Sequence, residues 1–144
     1  MVMPKDLSSK TDRRTLAREL AMQALYQLNV QGTDLLARLQ WEFLREIDCD
    51  DFVRKLAFAW IKGTWDNLSM CDELISPAII RWQFSRLSPV DKSILRLSVY
   101  QLKFCSSIPP KVVINEAIEL AKKFSSDKSP GFVNGVLDAV LKKI

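Results

Sequence analysis

The stretch LSPVDKSILRLSVYQLKFCSSIPPKVVINEAIELAKKF, residues 87–124, reads as two helices and the joint between them. Ser88 supplies a capping hydroxyl directly before Pro89. Proline loses nothing at a first helical position, because the N–H there has no intrahelical partner. Asp91, three residues after Ser88, makes a near capping box. Pro109-Pro110 stops that helix and starts another, in which Val113, Ile114, Ala117, Ile118, Ala121 and Phe124 recur at three- and four-residue steps and face inward. Arg96, in the middle of the first of these apolar helices, is expected in a buried ion pair.

The same period extends in both directions. Between Arg13 and Val30 it places Leu16, Leu20, Ala21, Ala24, Leu25 and Leu28 on one side of a first helix. Thr33 caps a second helix whose stripe is Leu35, Leu36, Leu39, Phe43 and Ile47. Asp50 caps a long third, with Phe52, Leu56, Ala59, Trp60, Gly63 and Leu68 on its inner side. Ser76-Pro77 and Ser129-Pro130 repeat the cap-and-proline device at the start of a fourth and a last helix, the last burying Phe132, Val133, Val136, Leu137, Val140 and Leu141. No segment alternates as a strand does. The expectation is an all-α domain of about seven helices over residues 13–144, with a soft division near residues 70–88. Residues 1–12 form a basic leader whose order the sequence leaves open.

Composition narrows the chemistry. A chain of 144 residues with 48% hydrophobic and 26% charged side chains supports a core without a disulfide or metal staple. It contains no histidine, which removes Ser-His-Asp triads, Cys-His dyads and His-ligated zinc together. Cys49, Cys71 and Cys105 form no CxxC pair and read as reduced, mostly buried thiols of a cytoplasmic protein. No apolar run of about 18 residues occurs, so no membrane span is expected. Neither a GxxxxGK[ST] loop nor a GxGxxG turn is present to cradle nucleotide phosphates. The acid pairs Glu42 with Glu46, Glu116 with Glu119, and Asp50 with Asp51 read as caps or solvated helix surface. No cofactor, no metal and no catalysis are expected.

Charge gathers at the two ends. Residues 1–18 hold five basic against two acidic side chains, a local +3, and residues 122–144 do the same; residues 34–55 carry −2. Basic ends with an acidic middle suit a polyanion. Lys10, Arg14 and Arg18 are spaced four apart, and Met22 and Tyr26 continue the stripe. Such a face offers arginines to phosphates and a ring to a base. The same spacing also fits a structural role, with Tyr26 in the core and the arginines paired to Glu19 or to acids of the second helix. Trp41, Trp60, Trp65 and Trp82 lack surrounding basic clusters and read as core or partner surface.

Four stretches carry a resemblance. RRTLARELAMQALYQ at 13–27, LSPVDKSILRLSVYQL at 87–102, IPPKVVINEAIELAKKF at 108–124 and FVNGVLD at 132–138 resemble, in the same order, the motifs of the NusB transcription antitermination family. Residues 31–85 match weakly. The resemblance implies two small helical bundles packed together. It implies binding of boxA-type single-stranded RNA jointly with the ribosomal protein NusE, within an RNA polymerase antitermination complex on ribosomal RNA operons. It also implies RNA-facing positions at Arg13, Arg14, Arg18 and Tyr26, at Asp91 and Lys92, and at Phe132. Where the family often has a basic residue before that phenylalanine, this chain has Gly131, and Lys128 restores a cation three residues earlier. Asn115 and Glu116 sit in a first helical turn, where amides and acids favour exposed N–H groups, and read as structural. Gly135, costly in a helix interior by about 1 kcal/mol relative to alanine, is expected to permit close packing. Two other roles remain open: a stand-alone ribosomal RNA-binding module in processing or assembly, and a protein-docking module without RNA affinity.

Overall fold

The computed structural model describes residues 13–32, 44–79 and 87–144. Its helices are α1 (Arg13–Gln31), α2 (Leu44–Glu46), α3 (Asp51–Asp66), α4 (Leu68–Ile75), α5 (Pro89–Phe104), α6 (Pro110–Phe124) and α7 (Ser129–Leu141), with a 3-10 turn at Ser76–Ala78. No strand occurs among the described residues. The all-α reading holds. Thr33, Leu35, Leu36, Leu39 and Phe43 of the expected second helix lie outside the described residues, as do Lys10, Trp41 and Trp82; α2 and Ile47 follow them, with Leu44 and Ile47 buried.

α5 is the hub. It packs against α1, α3, α4, α6 and α7, and buries Ile94, Leu95, Leu97 and Val99 on more than one side. α1 packs on α3 and α5 and is buried almost all round from Leu16 to Leu25, the pattern of a helix enclosed by others. α6 and α7 pair with each other against α5. The guanidinium of Arg96 forks onto both carboxylate oxygens of Asp72 at 2.9 Å and reaches Asn29 Oδ1 at 3.1 Å, the ion pair expected mid-helix.

Two caps form as the sequence indicates. Ser88 Oγ accepts from the Asp91 N–H at 3.1 Å, and Asp50 Oδ1 accepts from the Val53 N–H at 2.9 Å. Two others do not. The helical backbone runs through Ile75 into Ser76, so Ser76 closes α4 with its N–H on the Asp72 carbonyl and makes no side-chain cap. Ser129 is already inside α7, and Lys128 takes the N-cap position. The third helix stops earlier than expected, at Asn67, whose backbone N–H turns back to the Thr64 carbonyl and whose side chain donates to the Gly63 carbonyl at 2.7 Å.

The inner face of α3 is also rotated from the expected one. Val53, Ala57, Trp60, Ile61 and Thr64 are buried, whereas Phe52 and Ala59 are exposed. A one-residue shift turns a helix by about 100°. The shift places β-branched Val53 and Ile61 beside Trp60 against α1 and releases Phe52 to the surface. The close helix approach lies at Gly63, where a Cβ would fall on the Tyr100 phenol ring. The packing role expected of Gly135 is overturned, because a methyl there would meet nothing within 4 Å.

Candidate nucleic-acid interface

The first turn of α1 presents Arg13 and Arg14 to solvent. Arg13 Nη1 donates to Asp50 Oδ2 at 2.9 Å, although its side chain stays 60% exposed. The guanidinium carbons of Arg13 and Arg14 stand 4.4 and 5.8 Å from the centroid of the Phe52 ring. Asp50 is held below the ordinary carboxylate value of 3.8, first by the Val53 N–H and then by the Arg13 guanidinium.

The stripe expected to face outward turns inward after Arg14. Arg18 and Met22 are buried and Tyr26 is half-buried. Arg18 Nη1 donates to Glu116 Oε1 at 3.2 Å and its guanidinium lies 5.1 Å over the Trp60 ring. The same Glu116 oxygen accepts from Thr15 Oγ1 at 2.5 Å. Glu19, also buried, accepts from Lys123 Nζ at 2.7 Å. Among the described residues, Arg18 and Glu19 meet partners on α6, and most of the expected second helix lies outside those residues. Glu116 is structural, but through its pair with Arg18 and not at first-turn N–H groups, because α6 starts at Pro110 and carries Asn115 and Glu116 in its second turn. Trp60 is core and Trp65 packs half-buried against it.

A second group forms where α5 begins and α6 passes into α7. Asp91 is 9% exposed, its carboxylate accepting from Ser125 Oγ at 2.7 Å and from Ser129 Oγ at 3.1 Å. Ser125 and Ser126 each share a hydrogen bond with Ser129, at 2.7 and 3.0 Å. The carboxylate is thus a bolt between the α5 N-terminus and the α6–α7 connection. Around it, Lys92 is half-buried, Lys128 is exposed at the α7 N-cap, and Phe132 is half-buried against the core. Glu116 and Ser125, which touch the two groups, are separated by about 13 Å along α6 at 1.5 Å per residue. The packing thus gathers the expected residues into two clusters, with Tyr26 further along α1.

Sequence reasoning assigned Phe52 to the core and did not pair Asp91 with the serines. The first had no local signal; the second was hinted at by the four-residue spacing of Ser125 and Ser129. Among the described residues Glu119 pairs with Lys122, Asp51 with Arg54 and Asp50 with Arg13, Glu42 lies outside them, and no group of the described side chains has metal-ligand geometry. The cysteines are free thiols; burial pushes Cys71 up to about 12 and raises Cys105. No described helix is long and apolar enough to cross a membrane.

The family model that matches this sequence is that of the NusB family, over residues 15–142. The chain belongs to the NusB family. It is 41% identical over 136 residues to the transcription antitermination protein NusB of Oleidesulfovibrio alaskensis, covering 91% of this chain and 88% of that one. It is 42% identical to the protein of the same name from Syntrophus aciditrophicus, covering 92% and 81%. The fold matches T. maritima NusB with a TM-score of 0.81 at 38% identity, over 94% of each chain. It also matches, at 0.78 and 27% identity, a crystal structure of the antitermination factors NusB and NusE in complex with double-stranded RNA, over 92% of this chain and 98% of that one. The NusB motifs at 87–102 and 108–124 form α5, α6 and the joint between them.

Proposed function

We propose that this chain is a non-catalytic, cytoplasmic transcription antitermination factor that binds boxA-type single-stranded RNA together with NusE and supports transcription of ribosomal RNA operons by RNA polymerase. The observation that carries the reading is the pairing of exposed cations with accessible aromatic surface in two places, Arg13 and Arg14 over Phe52, and Lys128 one helical turn from Phe132. Cations for phosphates, with the Phe132 ring close by for a base, are what a single strand requires. The curated relatives named as antitermination proteins, and a related structure holding NusE and RNA, support the biological setting.

In this reading residues 13–144 act as one RNA-binding domain with residues 1–12 as a basic leader. Lys10 of that leader, Arg13, Arg14, Tyr26, Lys92, Lys128 and Phe132 form the contact surface. Arg18 and Asp91 act from behind it, the first by fixing α1 to α6 and the second by fixing the α6–α7 connection. A net charge of +4 split between two ends is too little for tight capture of one strand, so NusE supplies further contacts on a joint surface. Titrating a labelled boxA strand with this protein, with and without NusE and at several salt concentrations, tests this. Weak binding alone, tightened by NusE and weakened by salt, is expected. Equal affinity with and without NusE removes the joint-surface reading, and no RNA affinity in either case removes the function.

A further inference from the structure

Phe52 is a large apolar side chain left 40% exposed, one residue away from the buried stripe of α3. Its ring carries two guanidiniums from another helix, those of Arg13 and Arg14. Two residues earlier, Asp50 grips Arg13 from the side while capping α3 through the Val53 N–H. The first turn of α3 therefore fixes where the first turn of α1 holds its cations.

A guanidinium lying on a phenyl face keeps its N–H edges available for oxyanions, because stacking uses the plane and hydrogen bonding uses the rim. A long side chain held in place before binding also loses less freedom when a ligand arrives. We propose that Phe52 is a positioning residue for an RNA phosphate subsite, its ring being the shelf on which Arg13 and Arg14 are pre-set to fork a phosphodiester of single-stranded RNA. The inference rests on the RNA-binding function proposed above and adds to it a residue that makes no base contact of its own. Asp50 limits the strength of the subsite, since its carboxylate shares Arg13 with the incoming phosphate.

The test uses the full chain with NusE and a fluorescent boxA strand, measuring affinity across a salt series for F52A, F52L, F52Y and F52W. F52A takes the ring from beneath both exposed guanidiniums at once, which predicts a drop in affinity of roughly five-fold or more. The salt slope should stay as in wild type, because the arginines still reach phosphate. F52Y and F52W should bind as wild type, while F52L, which keeps apolar bulk without a π face, should bind as weakly as F52A. R13A/R14A should instead flatten the slope by about 1.4, at about 0.7 per contact to a single strand. Wild-type affinity for F52L with a flattened slope for R13A/R14A overturns the shelf and leaves RNA binding intact. Wild-type affinity and slope for R13A/R14A overturn the subsite altogether. Melting curves of each variant separate these outcomes from misfolding.

Discussion

The guanidinium of Arg18 and the carboxylate of Glu116 meet 3.2 Å apart across 98 residues of sequence, with side chains 4% and 21% exposed. The pair joins α1 to α6 beneath the exposed arginines. Taking one partner from a buried pair leaves charge behind in a poorly solvated place, at a cost of up to about 3–5 kcal/mol.

Glu116→Gln should therefore lower stability by about 2–4 kcal/mol, the partial exposure of Glu116 keeping it below the fully buried limit. Arg18→Ala should lower the melting temperature as well, and at temperatures where it is folded the salt slope of RNA affinity should be unchanged. Denaturant titration and a salt series on the same preparations decide it. A flattened slope for Arg18→Ala would mean that Arg18 reaches phosphate directly.

Asp91 accepts from Ser125 and Ser129, and hydrogen bonds to a charged group contribute about 1.5–3 kcal/mol. Asp91→Ala should destabilise by about that amount and speed amide hydrogen exchange at Ser125–Ser129. Through the displaced Lys128 and Phe132 it should also weaken RNA binding. Rapid exchange without any change in RNA affinity would disconnect this junction from function.

Phe132 is half-buried, so its stacking and core roles have to be separated. Phe132→Leu keeps most of the apolar volume and removes the π face. RNA affinity should fall by about 1–3 kcal/mol, the range for a base stacked on an aromatic ring, with little change in melting temperature. Lost stability with normal RNA affinity would make Phe132 a core residue only.

Two of the helical glycines, Gly63 and Gly135, should respond oppositely to alanine. Gly63→Ala drives a methyl into the Tyr100 ring and should destabilise by about 1–3 kcal/mol. Gly135→Ala meets open space within a helix and should stabilise by about 0.5–1 kcal/mol. Thermal melts of the two variants give the comparison; equal signs would contradict this packing.

Acid should erase the contribution of the Asp50 charge. A carboxylate whose folded value lies below its ordinary 3.8 adds stability that is present above 3.8 and is lost as pH falls through the folded value. Asp50→Asn retains a cap acceptor without the charge. The wild type should be more stable than this variant at neutral pH, and the gap should close below 3.8. A gap that is constant or widens on acidification would refute the assignment.

Much of this protein was settled by local sequence. Pro89 after Ser88 and Pro110 after Pro109 set helix starts that the fold keeps, because proline and a capping hydroxyl act within one turn and need no partner helix. The absence of histidine and the helical period likewise needed no tertiary information. Which way each stripe faces was decided only by docking. Periodicity fixes the angles between residues of one helix, not the angle of that helix against its neighbours, so α3 could turn by one residue and send Phe52 outward while α6 covered Arg18. The pairing of Asp91 with Ser125 and Ser129 likewise spans more than thirty residues. It arises because packing α6 and α7 on α5 buries most of the carboxylate and the Ser129 hydroxyl and leaves them to satisfy one another.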